Sequence, residues 1–191
     1  KQLLDVANDD VRRIDRLIND ISDASRVDAE LARAKFEPID IGKMLEQLLA
    51  AREQRTSNLG VHIAFARPAK DVAKVMGDGG RLTRVFGNLL DNAVSFSPEG
   101  GLVEILATPD GDEIVIHIAD QGPGVAPDQR EQVFQRFHSD RPDGEAFGKH
   151  SGLGLAIAKT IVEGHQGEIR ILDRDGGESG ACFEIRLPKA L

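Results

Sequence analysis

The segment Glu113–Ala119 constrains the fold more than any other part of this sequence. Its apolar residues lie on both faces of an extended chain, as Ile114, Val115 and Ile116 show, so it predicts a strand in the middle of a covered sheet. Asp120 follows directly, and a carboxylate at the end of a buried strand is costly unless a donor reaches it. The chain must therefore build a sheet around this strand and supply a partner for Asp120.

The other periodicities predict further strands with helices among them. Strand-like segments, separated by turns rich in Gly and Asp, are predicted at residues 61–66, 73–76, 102–107, 168–172 and 181–187. Helices are predicted at residues 40–57, 80–96, 127–137 and 153–163. Because the strands cluster as neighbours and the helices are interspersed, we expect an α+β fold, a two-layer α/β sandwich with a mixed sheet and helices on one face.

A long helix is predicted ahead of this sandwich. Apolar or small residues recur in steps of three and four from Leu4 to about Leu31, which is typical of the seam of a helix bundle. No second helix of similar length follows it, so we expect a partner helix, from another molecule or from sequence outside this chain, rather than packing on its own domain. Pro38 ends the pattern, and we place a boundary between residues 1–35 and residues 36–191.

Composition excludes several classes of protein. Among 191 residues, 24 Lys and Arg against 32 Asp and Glu leave a formal charge of −8, which argues against nucleic acid or an anionic membrane as the main partner. Cys182 is the one cysteine, which excludes an internal disulfide framework. No apolar run approaches the ~20 residues that a membrane-spanning helix needs, so we expect no membrane contact for this chain.

The predicted helix over residues 80–96 carries two polar residues beside a full apolar face. Asn88 and Asn92 are four positions apart and hence one turn apart, and Asn is a mediocre helix former, so the pair indicates a polar role. Carboxamide oxygens suit the partly hydrated shell of Mg²⁺ when phosphates supply the other ligands. For this pair taken alone, two solvated helix residues are the alternative.

The predicted central strand ends in Asp120-Gln-Gly-Pro-Gly124. Gly122 and Gly124 allow a ligand to approach the backbone closely, and an exocyclic amine such as that of adenine would satisfy Asp120. The alternative is a capped turn, because Asp-x-Gly is common in turns.

A glycine-rich loop precedes the last predicted helix. Glycines at 148, 152 and 154 lead directly into this helix, so free backbone N–H groups and the positive end of the helix dipole are available to a phosphate chain. The loop is neither a Walker A loop nor a dinucleotide fingerprint. The polar stretch before it, residues 138–146, is typical of a mobile lid.

Together these motifs resemble those of two-component sensor histidine kinases. The segments similar to the N, G1, F and G2 boxes of that family are Asn88-Leu-Leu-Asp-Asn92-Ala, Asp120-x-Gly-x-Gly124, Val133-Phe-Gln-Arg-Phe137 and Gly152-Leu-Gly-Leu155. Residues 16–26 resemble the second helix of the dimerization and phosphotransfer hairpin. Within the family, that helix and residues 137–147 are most similar to the ChvG/BvrS-type envelope and acid-response sensors of alphaproteobacteria. The resemblance implies the GHKL, or Bergerat, ATP-binding fold.

The resemblance also implies a role for each matching residue. Asp120 would bind the adenine amino group, Gly122 and Gly124 would shape the adenine pocket, and Asn92 would ligate Mg²⁺. Backbone groups would cradle the phosphates at Gly152, Leu153, Gly154 and Leu155.

The catalytic residues implied are Asn88 and a substitute cation. Asn88 stands where the related gyrase, Hsp90 and MutL ATPases have a Glu base, and an amide cannot take a proton from water, so ATP would be kept for transfer. Two usual phosphate contacts are replaced by Ser95 and by His138-Ser139. Arg141, in the predicted lid, is our candidate substitute for them.

The histidines and the cysteine complete the candidate residues. None of the five histidines lies in the His-Glu-x-x-Pro-like motif of a phosphoacceptor, so we expect the first hairpin helix to lie outside this chain. His165 follows a predicted helix, where a cation is favoured. Cys182 stands where a Thr commonly supports an adenine-bound water, or is a small strand residue that is simply buried.

The function implied is that of a protein-histidine kinase with ATP and Mg²⁺ as cofactors. The chain would move the γ-phosphoryl of ATP to a histidine on the missing helix, and a response-regulator aspartate would then take it. The intact protein would be a homodimer through the hairpin, with this chain as the cytoplasmic portion of a bacterial inner-membrane sensor. The alternatives are a GHKL-type ATPase and a non-catalytic dimerization or partner-switch module that retains the pocket.

Overall fold

Strands and helices are interspersed in the part of the chain that the computed structural model describes, residues 35–69, 72–136, 152–174 and 178–190. In chain order the strands are β1 (Glu37–Asp40), β2 (His62–Ala66), β3 (Lys74–Gly77), β4 (Leu102–Asp110), β5 (Glu113–Ala119), β6 (Glu168–Asp173) and β7 (Ala181–Pro188). The helices are α1 (Ile41–Ala50), α2 (Glu53–Asn58), α3 (Gly79–Phe96) and α4 (Gly154–Gly164), and a 3₁₀ turn spans Gln132–Phe134.

One five-stranded sheet organises these elements, in the order β2-β4-β5-β7-β6. β2 runs parallel to β4 and the other neighbours are antiparallel, so the sheet is mixed. β5 lies in the centre, and Ile114, Ile116 and Ile118 bury its helix-facing side completely. The prediction of a central strand is therefore confirmed, as is the mixed sheet.

Helix α3 forms because capping and amphipathicity agree over the whole segment. Asp78 is its N-cap and accepts a hydrogen bond from the Arg81 backbone N–H at 3.1 Å. At the other end the Ser97 hydroxyl donates to the Ala93 carbonyl at 2.8 Å. Between them the apolar side of the helix is buried against the sheet; its fully buried members are Leu82, Val85, Phe86, Leu89, Leu90 and Ala93.

The two faces of the sheet differ in what covers them. The core lies on the helix side, where inward residues of β4, β5, β6 and β7 pack with those of α3 and α4. None of the described helices covers the other face, here called the open face. It carries a row of polar side chains in which His117 is in register with Glu184 and Glu184 with Arg170. This arrangement confirms the two-layer sandwich with helices on one face.

Three predicted elements differ from the structure. Residues 127–137 were predicted as one helix, but turns and the short 3₁₀ turn are found over 127–136, because Phe134 is the one buried apolar side chain available there to hold a helix against the core. The helix predicted over residues 40–57 is interrupted between α1 and α2, where the Arg52 side chain turns to Asp91. The break predicted around Pro38 is the strand β1, which pairs antiparallel with β3.

The predicted bundle helix of residues 1–35 lies, except for its last residue, outside the described residues, so the boundary at residue 36 stays a prediction. Among the described helices, none combines the length and the apolar character that crossing a bilayer requires.

Candidate functional site

Asp120 occupies a buried corner at the end of β5. The residue is only 3% exposed, and its Oδ1 accepts hydrogen bonds from the Gly122 N–H at 2.8 Å and the Ala181 N–H at 3.2 Å. Within the described residues no hydrogen bond reaches Oδ2, so this oxygen can accept from a ligand. Burial raises the pKa of the Asp120 carboxyl, while the two backbone N–H groups and the charge of Arg174 act in the opposite direction.

The glycines after Asp120 are required by close contacts. A Cβ at Gly122 would lie 2.8 Å from the Phe96 carbonyl oxygen and 2.9 Å from Asp120 Oδ1. Gly124 has φ +79°, and a Cβ there would lie 2.8 Å from the Gly180 carbonyl oxygen. The loop after Asp120 therefore passes directly over the last turn of α3 and leaves no room for side chains at these two positions.

The polar face of α3 continues from this corner towards α4. The Asn88 side chain donates from Nδ2 to the Gly154 carbonyl oxygen at 3.1 Å. Asn92 is half-buried one turn further along the helix, between Asn88 and the end of α3 at Phe96. At 1.5 Å rise per residue, about 12 Å of helix separates Asn88 from Phe96, so the site extends along two turns of α3.

The start of α4 lies against the Asn88 end of this face. Gly152 has φ +67°, which brings the chain into the helix, and Leu153 is the N-cap residue with its side chain buried in the core. Among the described residues no side chain caps this helix, so backbone N–H groups of its first turn, at Gly154 and half-buried Leu155, have no side-chain cap there and suit another acceptor. Such a helix start is suited to an anion.

Nine of the ten predicted site residues thus lie along α3 and at the two chain segments that contact it. Asp120, Gly122 and Gly124 form one end, Asn92 the middle, and the Asn88 side chain with residues 152–155 the other end. Arg141 and the rest of the predicted lid lie outside the described residues.

Sequence reasoning missed three contributors to the site. The Phe96 side chain is 42% exposed beside Gly122, and an apolar residue at the exposed end of a helix is a signal that could have been used. Ala181 contributes only its backbone N–H, which no side-chain pattern indicates. Arg174 is the third. Its charge acts on Asp120, and its hydrogen bond to Glu104 joins segments that are distant in sequence.

The expectation for His165 was wrong. It is buried with its Nδ1–H donating to the Ile161 carbonyl at 2.7 Å and its Nε2 accepting from the Asp78 N–H at 3.0 Å. Burial lowers the pKa of His165, so the ring is a neutral link between the end of α4 and the N-cap of α3 rather than a cation at a helix end. Helix position alone could not show this, because the partner Asp78 is distant in sequence.

Cys182 lies on the sheet face opposite Asp120. Its neighbours in sequence, Ala181 and Phe183, point into the core, and alternate residues of a strand point to opposite faces. Of the two readings of Cys182, the structure therefore favours a small strand residue over a support for adenine-bound water.

Comparison with known proteins identifies the family. The protein-family model described as "Histidine kinase-, DNA gyrase B-, and HSP90-like ATPase" matches residues 77–191. The chain belongs to this ATPase family. The resemblance to sensor histidine kinases of the ChvG type is confirmed by the curated relatives together with this family model, which also agrees with the prediction of an ATP-binding portion in this chain.

Similar proteins and solved structures support this family assignment over most or all of the chain. Sensor protein ChvG of Rhizobium meliloti is 43% identical over 98% of this chain and 34% of its own length, and ChvG of Agrobacterium fabrum is 40% identical over 100% and 33%. Full-length ShkA in complex with AMPPNP is 31% identical, with a TM-score of 0.77 over 92% of this chain and 35% of its own. The mycobacterial sensor histidine kinase MprB is 32% identical, with a TM-score of 0.67 over 82% of this chain and 100% of its own. This chain spans about a third of the length of the curated relatives.

Proposed function

We propose that this chain binds ATP·Mg²⁺ along α3 and transfers the γ-phosphoryl group to a histidine outside it, from which a response-regulator aspartate takes the group. The observation that carries the proposal is that two groups able to bind a ligand, the Asp120 carboxylate and the start of α4, lie about two turns of α3 apart. Within the part of the chain that the structure describes, Asp120 has one carboxylate oxygen without a hydrogen bond in a buried corner, and α4 begins without a side-chain cap beside Asn88.

The adenine end follows from Asp120. Its Oδ1 is held by two backbone donors, so the carboxylate cannot rotate freely, and Oδ2 is presented to an exocyclic amine. Gly122 allows the loop to pass close to Phe96 and to donate its N–H to Asp120, and the exposed Phe96 side chain supplies apolar surface for a flat ring beside it.

The phosphate end follows from α4 and Asn92. Phosphate oxygens would accept from the N–H groups at Gly154 and Leu155, where the helix dipole favours negative charge. No group of three His, Cys, Asp or Glu side chains among the described residues could hold a metal ion. An ion bound through the Asn92 amide oxygen would therefore take its other ligands from phosphates and water, which fits Mg²⁺. Bound Mg²⁺ supplies charge neutralisation of the phosphates during transfer.

Asn88 favours transfer over hydrolysis. Its amide has no basic nitrogen and its Nδ2 is engaged with the Gly154 carbonyl, so it cannot remove a proton from an attacking water. Its contribution is to fix the start of α4 against α3 and so to position the phosphate-binding N–H groups. This supports a kinase over the GHKL-type ATPase.

The remaining parts of the proposal concern the intact protein. We propose that it is a homodimer through the hairpin and that this chain is the cytoplasmic portion of a membrane-anchored sensor. The similarity to curated sensor proteins over the whole chain supports its place in a sensor, and the dimer and the membrane anchor extend this proposal.

Calorimetric titration with a non-hydrolysable ATP analogue, with and without Mg²⁺, tests the site. We expect metal-dependent binding that Asn92→Ala loses and that Asp120→Asn weakens by about 100-fold, because a charged acceptor buried against an amine contributes several kcal/mol. Asp110→Asn is the matched control, since this exposed carboxylate pairs with Arg186 at the other end of the sheet. Equal affinity of Asp120→Asn and the parent would overturn the proposal.

A second experiment distinguishes the kinase from the other candidates. A separately supplied phosphoacceptor hairpin is incubated with this chain and radiolabelled ATP. We expect label on the hairpin with little steady-state phosphate release. Rapid phosphate release would favour the ATPase, and nucleotide binding without labelling would favour the partner-switch module.

A further inference from the structure

Arg174, just beyond β6, is buried although it lies on the open face of the sheet. Its side chain is 7% exposed, and it forms ion pairs with Glu104 on β4 and with Glu178, at 3.4 Å. Its Nη1 is buried and has no hydrogen-bond partner among the described residues. The two carboxylates are more than half exposed, so the pairs offset the desolvation of a buried guanidinium only in part. Stability alone therefore does not account for this arrangement.

The ion pair with Glu104 crosses the sheet directly behind Asp120. β6 and β4 are separated by β7 and β5, and the residues in register between Glu104 and Leu172 are Ala119 and Cys182. These two small side chains leave room for the Arg174 side chain to pass over the sheet. Ala119 immediately precedes the carboxylate of Asp120.

The stem of Arg174 also contacts the backbone corner that holds Asp120. A Cβ at Gly180 would lie 1.9 Å from the Asp120 carbonyl oxygen and 2.8 Å from Arg174 Cδ. Gly180 is therefore enclosed between the two residues. It immediately precedes Ala181, whose N–H donates to Asp120 Oδ1.

We propose that Arg174 is a positioning residue for adenine recognition, which holds the Asp120–Gly180 corner from behind the sheet so that the Asp120 carboxylate is in place to accept from the adenine amino group. The inference rests on the proposed function, because it assigns Asp120 to the nucleotide.

The electrostatics agree with the geometry. Burial raises the pKa of Asp120, and the positive charge of Arg174 acts against this rise. The charged groups nearest to Arg174 are the carboxylates of Glu104 and Glu178, each of which forms an ion pair with it and partly neutralises its positive charge. His117, on the same strand as Asp120, is engaged with Glu184 on the open face.

The test compares Arg174→Met with Arg170→Met. Both arginines lie on the same face of the sheet, on β6 or just beyond its end, and are four positions apart. Arg170, however, pairs with Glu184 at 2.7 Å rather than with a group beside Asp120. We would titrate each variant with the non-hydrolysable ATP analogue and with inosine triphosphate, whose base has a carbonyl in place of the adenine amino group, from pH 5 to pH 8. Thermal melting confirms that each variant is folded.

In Arg174→Met the low-pH side of the ATP-analogue binding profile, its acid limb, should move to higher pH, with about a tenfold loss of affinity on that limb. The preference for adenine over hypoxanthine should fall by a similar factor. The direction follows because loss of the positive charge lets burial raise the pKa of Asp120 further. Arg174→Lys should restore most of both properties, and Arg170→Met should leave both unchanged. A merely structural arginine would lower the melting temperature without moving the pH limb or the base preference.

Each outcome decides the inference. If the parent does not bind the analogue, the proposed function fails and the inference fails with it. If the parent binds and Arg174→Met keeps the parent's pH limb and base preference, the inference alone is overturned. If Arg174→Met does not fold, Glu104→Gln replaces it: loss of the competing carboxylate should move the limb down in pH, and an upward movement contradicts the inference.

Discussion

Two buried carboxylates on neighbouring strands show how differently the two faces of the sheet are used. Asp120, on the helix side, is 3% exposed and has two backbone donors on one oxygen, and burial raises its pKa. Glu184, on the open face, is 5% exposed, and its pKa is lowered although its burial acts to raise it. Two carboxyl groups of similar exposure therefore have pKa values shifted in opposite directions.

The difference lies in how completely each carboxylate is satisfied. Glu184 accepts from Arg170 at 2.7 Å, from His117 at 3.0 Å and from Arg186 at 3.1 Å, so both of its oxygens have side-chain partners. Asp120 keeps one oxygen without a partner among the described residues. A fully paired buried carboxylate joins strands, whereas an incompletely paired one is available to a ligand. The comparison separates a structural acid from a binding one without reference to any relative.

The largest expected effect tests the space beside Asp120. Gly122→Ala should abolish nucleotide binding, a loss of more than about 100-fold, because the new Cβ would collide with the Phe96 carbonyl and with the Asp120 carboxylate. Calorimetric titration with the ATP analogue measures this. Gly80→Ala is the control, since a Cβ in that first turn of α3 meets only Asp78 Oδ1 at 3.5 Å; it should bind normally and gain up to about 1 kcal/mol of stability. Normal binding by Gly122→Ala would mean that the ligand does not approach this corner.

The next effect tests the structural carboxylate. Glu184→Gln should lower the free energy of unfolding at pH 7 by about 1–3 kcal/mol, because three cationic or polar partners lose a charged acceptor, and should leave nucleotide affinity unchanged. Urea denaturation followed by circular dichroism measures it. In the control Glu46→Gln, the exposed pair with Arg67 should contribute less than about 1 kcal/mol. A loss of nucleotide affinity in Glu184→Gln would contradict the distinction between Glu184, which joins strands, and Asp120, which we propose binds the ligand.

The smallest effect concerns His165, a third buried titratable group. Its folded-state pKa lies below the ordinary value of 6.5, so the unfolded chain binds the proton more readily. The stabilisation from neutral His165 should be complete above pH 6.5 and be lost as the pH falls below it, by roughly 1 kcal/mol per pH unit until the folded-state pKa is reached. Urea denaturation of the parent and of His165→Leu at pH 7.5, 6 and 5 measures this. The parent should lose more stability on acidification than the variant, and parallel losses would contradict a neutral buried ring.

The elements that sequence predicted well are those in which local signals agree. The β5 prediction matches the observed strand, and α3 begins one residue before its predicted start and ends where predicted. In both, the periodicity of apolar residues agrees with the turn and cap residues at the ends. The helix predicted over 127–137 is not found. The segment has turn-forming residues and, over 127–136, Phe134 as its one buried apolar side chain, so its weak periodicity had too little apolar surface to bury.

The candidate site divides in the same way. The stacking of Asn88 and Asn92, the glycines after Asp120 and the helix start at Gly154 are local features, and their spacing could be read directly. The contacts of Asn88 with Gly154 and of Asp120 with Ala181 join residues 66 and 61 positions apart. Spacing along the chain cannot show such pairs, because they depend on which elements are neighbours in space.

By itself the sequence determined the central strand, the polar face of α3 and the glycines that a nucleotide site needs, since these follow from short-range sterics and periodicity. Only the tertiary structure decided that, among the described residues, one oxygen of Asp120 accepts two hydrogen bonds and the other none, that His165 is neutral, and that Arg174 reaches Glu104 from 70 positions away. The strand order β2-β4-β5-β7-β6 brings these groups together, and charge and burial depend on such long-range neighbours rather than on the adjoining residues.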